Sequence, residues 1–201
     1  MASEPESDST RSSRKGDKRE RTRAKLLETA REVIWEKGYE HATLEEIAER
    51  AGMTTGAIYG NFKSRDDLFI ALGQTYWSPI KPRVKPGADL PEIMRAMADA
   101  TIDAIPDRSA AAVGRLTGLA YTLQHETMRK HVVKVTAESY AFGEEWLNSV
   151  IKKEHLPMPA GQFVRVLHAM IEGLVLQRLL TPELIPDYVI KGAFAALAAK
   201  R

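Results

Sequence analysis

A chain of 201 residues with 44% hydrophobic residues and a formal charge of only +2 can hold one sizeable core, or a small domain joined to a larger one. That balance announces no nucleic-acid partner, and the lack of cysteine removes disulfides, thiolate catalysis and most zinc sites. No apolar signal core opens the chain and no run approaches the ~18 apolar residues of a membrane span, so a cytoplasmic protein with no membrane partner is expected.

In chain order, residues 1–19 are polar, Ser-rich and without helical periodicity, which predicts a disordered basic arm. Charge is uneven there. Residues 11–25 hold eight basic side chains against Asp17 and Glu20, the local footprint of phosphate binding or of a solvated tail. From Arg21, the residues Leu26, Leu27, Ala30, Val33 and Ile34 recur at helical spacing up to Gly38. Thr43-Leu-Glu-Glu46 is a capping box, with Glu46 expected to reach back to the Thr43 amide. It opens a short helix that Gly52 ends. Thr54 or Thr55 caps another, and Ser64-Arg-Asp-Asp67 starts a helix to about Trp77. A Pro-rich stretch, 78–89, makes a boundary. Beyond it no strand-like alternation occurs. Helical patterns cover about 90–105, 107–123, 126–153, 160–180 and 186–199, giving an all-α chain of about nine helices.

Residues 44–62, LEEIAERAGMTTGAIYGNF, read as helix, tight turn, helix. Ala48 and Ala51 are small enough for a close crossing, and Gly52 permits the positive φ of the turn. Met53 and Ile58 fill the gap between the helices. The outward positions of the second helix hold Thr54, Thr55, Tyr59 and Asn61, hydrogen-bonding groups suited to base edges and phosphates. Lys63 and Arg65 follow as cations that could meet the DNA backbone. A plain helical hairpin has the same spacing.

The stretch Gly38 to Phe69, GYEHATLEEIAERAGMTTGAIYGNFKSRDDLF, resembles the N-terminal domain of TetR-family repressors, near the AcrR-like branch. With its flanking helices the resemblance covers roughly residues 21–77. It implies that Thr43 contacts a phosphate, and that Thr54, Thr55, Gly56 and Tyr59 touch bases and phosphates. Asn61 falls at a contact position, and Lys63 and Arg65 act as phosphate clamps. Glu45 departs from relatives that carry a base-reading Arg there, and Gly60 from those with an aromatic. The implied layout is the arm at 1–19, a three-helix helix-turn-helix domain at 20–65, and a helical ligand-binding and dimerisation domain at 66–201.

The segment Gln162 to Leu180 is apolar around more of its circumference than a surface helix needs, and the helix after it adds Tyr188, Val189, Phe194 and Leu197. Together they suggest a homodimer through residues 160–199, as in the family, or burial within one subunit. The family also implies an inducer cavity for a small, mainly apolar effector. On its helices lie Met94, Met97, Tyr121, Met128, Tyr140, Trp146 and Met170, which are equally ordinary core residues. His168 and Glu172, four apart, make a pocket pair, an interface pair or half a metal site.

No glycine-rich phosphate loop, nucleophile elbow or two-His zinc helix is present, so no enzyme is expected and no cofactor is implied. The expected function is a ligand-released repressor on a partly palindromic duplex. The rival is a helical adaptor, which explains the helices and not the chemistry of residues 52–63.

Overall fold

The computed structural model describes residues 8–75, 80 and 82–199, with side chains from Asp17 onward. Among them every regular element is helical: α1 (Asp8–His41), α2 (Leu44–Arg50), α3 (Thr55–Tyr59), α4 (Arg65–Thr75), α5 (Leu90–Asp103), α6 (Ile105–Ala110), α7 (Ala112–Gln124), α8 (Glu126–Val150), α9 (Ala160–Leu180) and α10 (Asp187–Ala198), with a 3-10 turn at Lys153–His155.

The all-α reading stands, with three differences. The first helix begins at Asp8, so residues 8–19 of the expected disordered arm are helical. The segment is rich in Arg and Lys, which favour helix, and no proline interrupts the chain from there to Pro79. Secondly, Gly38 breaks the helical path as expected, with a φ of 76° and a ψ of 169°, but a further short helical piece follows to His41, so α1 is two helices joined at a kink. Thirdly, the pattern at 107–123 is two helices, parted at Ala111. Pro106 lies in the first turn of α6, where its missing N–H costs no helical bond.

The chain divides into two units, residues 1–76 with 113–128, and residues 77–112 with 129–201. The first therefore contains α1–α4 and most of α7, whereas a boundary at 65/66 was expected. Leu68, Phe69 and Leu72 of α4 are fully buried, as are Leu26, Ala30 and Val33 of α1, Ile47 of α2, Ile58 of α3 and Phe62. Cutting before α4 would expose three of these side chains to water, at roughly 1.5–3 kcal/mol each.

In the second unit α10 packs along α5. Its core joins Ile93 and Met94 of α5, Leu147 of α8, Phe163, Leu167, Ile171 and Val175 of α9, and Ile190 and Phe194 of α10. The α9 set recurs every four residues, so one line of that helix faces its own core. Phe194, expected at a dimer interface, is wholly buried inside this core. The exposed apolar side chains of this region are Val166, Leu180, Leu184 and Tyr188 instead. No described helix is long and apolar enough to cross a membrane.

Candidate nucleic-acid interface

Two threonines start the two short helices. Thr43 Oγ1 accepts from the Glu46 amide at 3.2 Å, and Thr54 Oγ1 accepts from the Ala57 amide at 3.2 Å. Both are exposed, and a hydroxyl that accepts in this way still has its O–H to donate. The capping box at Thr43 is only half reciprocal. The Glu46 carboxylate turns away to Lys37 (2.7 Å) and Arg50 (2.9 Å), and Arg50 continues to Glu36 at 2.5 Å. The network ties α2 to α1. The Lys37 hydrogen bond, with help from Arg50, holds the Glu46 carboxyl below its ordinary range against a partial desolvation. Glu36 likewise raises Arg50.

Gly52 has a φ of 66°, the only way the chain makes this turn without strain. Ala48, Ala51 and Ile58 are buried between the helices. This leaves Thr54, Thr55, Gly56 and Tyr59 of the second helix exposed. The Tyr59 hydroxyl donates to Glu45 Oε1 at 3.0 Å, so the end of α3 adjoins the start of α2, near Thr43. The carboxylate there raises the Tyr59 hydroxyl above its ordinary value. The result is a set of exposed hydroxyls around a helix without a side chain at Gly56, followed by the exposed Lys63. The Lys63 amide is held by Asp67 at 2.9 Å, and Ser64 Oγ accepts from the Asp67 amide at 3.1 Å.

Two expected contacts are turned inward. Asn61 Nδ2 donates to the Ala57 carbonyl at 2.8 Å, and its Oδ1 is buried. Arg65 donates to the Tyr39 carbonyl and lies over the rings of Phe69 (5.0 Å) and Tyr121 (5.7 Å). It joins α1, α4 and α7 within the first unit. A guanidinium so placed gains cation–π and carbonyl contacts that a phosphate clamp would give up. Sequence reasoning missed Arg19 and Arg23. Arg19 donates to the Gly60 carbonyl at 3.4 Å; Arg23 donates to the Asn61 carbonyl at 3.0 Å and covers Phe62 at 4.4 Å. They satisfy carbonyls left open at the end of α3. Their spacing of four, on the row that leads to Leu26 and Ala30, was the available signal.

The expected effector residues fall in both units. Met94 and Met97 are buried in the second unit, with Trp146 and Met170 packed on its core. Tyr140 and His168 meet there, hydroxyl to Nδ1, at 3.2 Å. Glu172 faces the buried Arg108 of α6 at 3.4 Å. Tyr121 and Met128 belong to the first unit. There Tyr121 stacks on Tyr39 (5.6 Å) and His125 (3.6 Å) and meets Phe69 edge-on, and burial raises its hydroxyl above the ordinary value. Trp77 lies outside the described residues. Among the described residues no three metal-ligating side chains gather.

A tight helix-turn-helix presenting hydroxyls and a cation, in an all-helical frame, is the arrangement with which such motifs enter a DNA groove. Residues 26–72 match the family described as bacterial regulatory proteins, tetR family, so the likeness lies in this N-terminal part of the chain. It is similar to the HTH-type transcriptional repressor AcnR of Corynebacterium glutamicum, 37% identical over 82 residues, or 41% of this chain and 43% of AcnR. It is 43% identical to the HTH-type transcriptional regulator TtgR of Pseudomonas putida over 51 residues, 25% of this chain and 24% of TtgR. The chain thus spans less than half the length of these curated relatives. Its fold is similar to that of NalD, the secondary repressor of the MexAB-OprM multidrug efflux pump in Pseudomonas aeruginosa. The TM-score is 0.59 at 24% identity, covering 88% of this chain and 93% of NalD.

Proposed function

We propose that this chain is a sequence-specific, DNA-binding transcriptional repressor, not an enzyme, that works in the cytoplasm as a homodimer and leaves its operator when a small, mainly apolar effector binds. The observation that carries the reading is the α2–turn–α3 unit with Thr43, Thr54, Thr55, Gly56, Tyr59 and Lys63 on its open side. In this reading Thr55 and Tyr59 meet base edges, Gly56 lets the backbone come close, and Thr43, Thr54 and Lys63 hold phosphates. Asn61 and Arg65 support the reading head from within. The repressor assignment follows the likeness to AcnR, a transcriptional repressor.

Homodimerisation is supported by the outer face of α9 and the segment after it. Val166, Leu180, Leu184 and Tyr188 are exposed there beside the small Ala169 and Gly173. A two-fold axis through this face calls for a partly palindromic operator, its half-sites about 34–36 Å apart on straight DNA. The effector is supported by Met94, Met97 and Trp146, with the Tyr140–His168 and Arg108–Glu172 pairs adding polar groups to an apolar unit. It can act only through its differential affinity for two states; ~1–3 kcal/mol of coupling gives a roughly 5–150-fold loss of operator affinity.

Selection of bound duplexes from a random pool tests the proposal. The expected product is a partial palindrome that silences a downstream reporter. Thr55→Ala and Tyr59→Ala weaken that duplex more than random DNA. A pool that never converges contradicts the reading and favours the helical adaptor.

A further inference from the structure

The basic residues between 11 and 25 are not spread evenly. Arg11, Arg14, Lys18, Arg21 and Lys25 follow at intervals of three and four, the register of one helix face. The backbone is helical across all five positions, so the row is about 21 Å long at 1.5 Å per residue. Asp17 and Glu20 fall off it. Lys18, Arg21 and Lys25 are exposed, and among the described residues no acid lies within ion-pair distance of them. Like charges at these spacings destabilise a helix unless a polyanion neutralises them. The row is also fixed in place. Arg19 and Arg23, about 120–160° round the helix from the row and in line with Leu26 and Ala30, grip the Gly60 and Asn61 carbonyls at the end of α3. The row therefore runs along the open side of a helix that is anchored to the recognition helix, in the same unit.

We infer that this face of α1 is a second duplex-binding element, a helical row of cations that takes backbone phosphates of the DNA whose bases α3 reads. The inference rests on the DNA-binding reading above and adds a site outside the helix-turn-helix. Its contribution is independent of sequence. It lengthens the footprint and steepens the salt dependence, because each phosphate neutralised releases counterions.

The test uses the full chain and a fluorescein-labelled duplex of random sequence, titrated at several salt concentrations by anisotropy. The variant Lys18→Gln/Arg21→Gln/Lys25→Gln removes three cations from exposed positions and keeps residues of similar helix propensity. The slope of log K against log salt is expected to fall by about 2–3, at roughly 0.9 per phosphate, with affinity at physiological salt on the order of 10- to 100-fold lower. A control, Lys134→Gln/Lys152→Gln/Lys153→Gln, changes net charge equally at exposed sites in the second unit. It is expected to keep the wild-type slope. Wild-type binding with an unchanged slope in the α1 variant overturns the inference alone. An equal loss in the control also overturns it, by showing a net-charge effect. Failure of the wild type to bind any duplex overturns both this inference and the DNA-binding proposal.

Discussion

A Cβ added at Gly56 would meet only Thr54 Oγ1, at 3.8 Å. Nothing in the packing asks for glycine there, and glycine inside a helix is less stable than alanine by about 0.5–1 kcal/mol. Under the proposed function, close approach of DNA would account for the residue. Gly56→Ala is therefore expected to raise stability by roughly that amount, read from urea unfolding, while weakening the selected duplex in a binding titration. Glu46 makes a second prediction at this scale. Its carboxyl is held below its ordinary value of 4.5, first by the Lys37 hydrogen bond. A depressed acid contributes stability that is present above the unfolded value and is lost as pH falls through the folded one. The tie between α1 and α2 should hold at neutral pH and weaken below the ordinary Glu range. Glu46→Gln should remove that part of the acid dependence, so its urea midpoint should change less between neutral pH and pH ~3 than that of the wild type.

The elements show where a pattern in the sequence becomes a placement in space. The helix-turn-helix is legible because its signals are local. Small residues at Ala48 and Ala51, the positive-φ Gly52 and a capping hydroxyl at Thr54 act within a dozen residues. The courses of Arg65 and Asn61 are not legible, since each depends on a competing partner. Arg65 is drawn in by the Tyr39 carbonyl and by the ring of Tyr121 on α7, which the sequence gives no reason to place in the first unit. The start of α1 at Asp8 escapes a search for apolar periodicity because residues 8–20 are charged, Ser, Thr or Gly, with no apolar residue among them. Lys63 and Arg65, two residues apart, should therefore separate in their effects. Lys63→Ala is expected to lower the salt slope of duplex binding by about 0.9 at unchanged stability. Arg65→Ala is expected to lose about 1–3 kcal/mol of stability, with the slope of the folded protein unaltered. The reverse pattern would return Arg65 to the phosphate clamp first expected of it.

At the scale of the whole molecule, excess apolar surface signals an interface without saying which residues form it. Phe163, Val175 and Phe194 have no accessible surface in a single chain, whereas Leu184 and Tyr188 keep more than two thirds of theirs. Phe194→Glu should therefore unfold the protein, because it buries an unpaired charge. Leu184→Glu should leave helical content intact and shift sedimentation from dimer to monomer. A Leu184→Glu protein that stays dimeric would move the interface elsewhere on the chain. The central claim is that α3, set by α2 and steadied by α1, α4 and α7, reads DNA sequence. Its most direct test is the ratio of affinities for the selected duplex and a scrambled one of equal length, at one salt concentration. The wild type should favour the selected duplex by on the order of 10³-fold or more, and Thr55→Ala should cut that ratio with little change in scrambled-DNA affinity. A wild-type ratio near one would contradict the account.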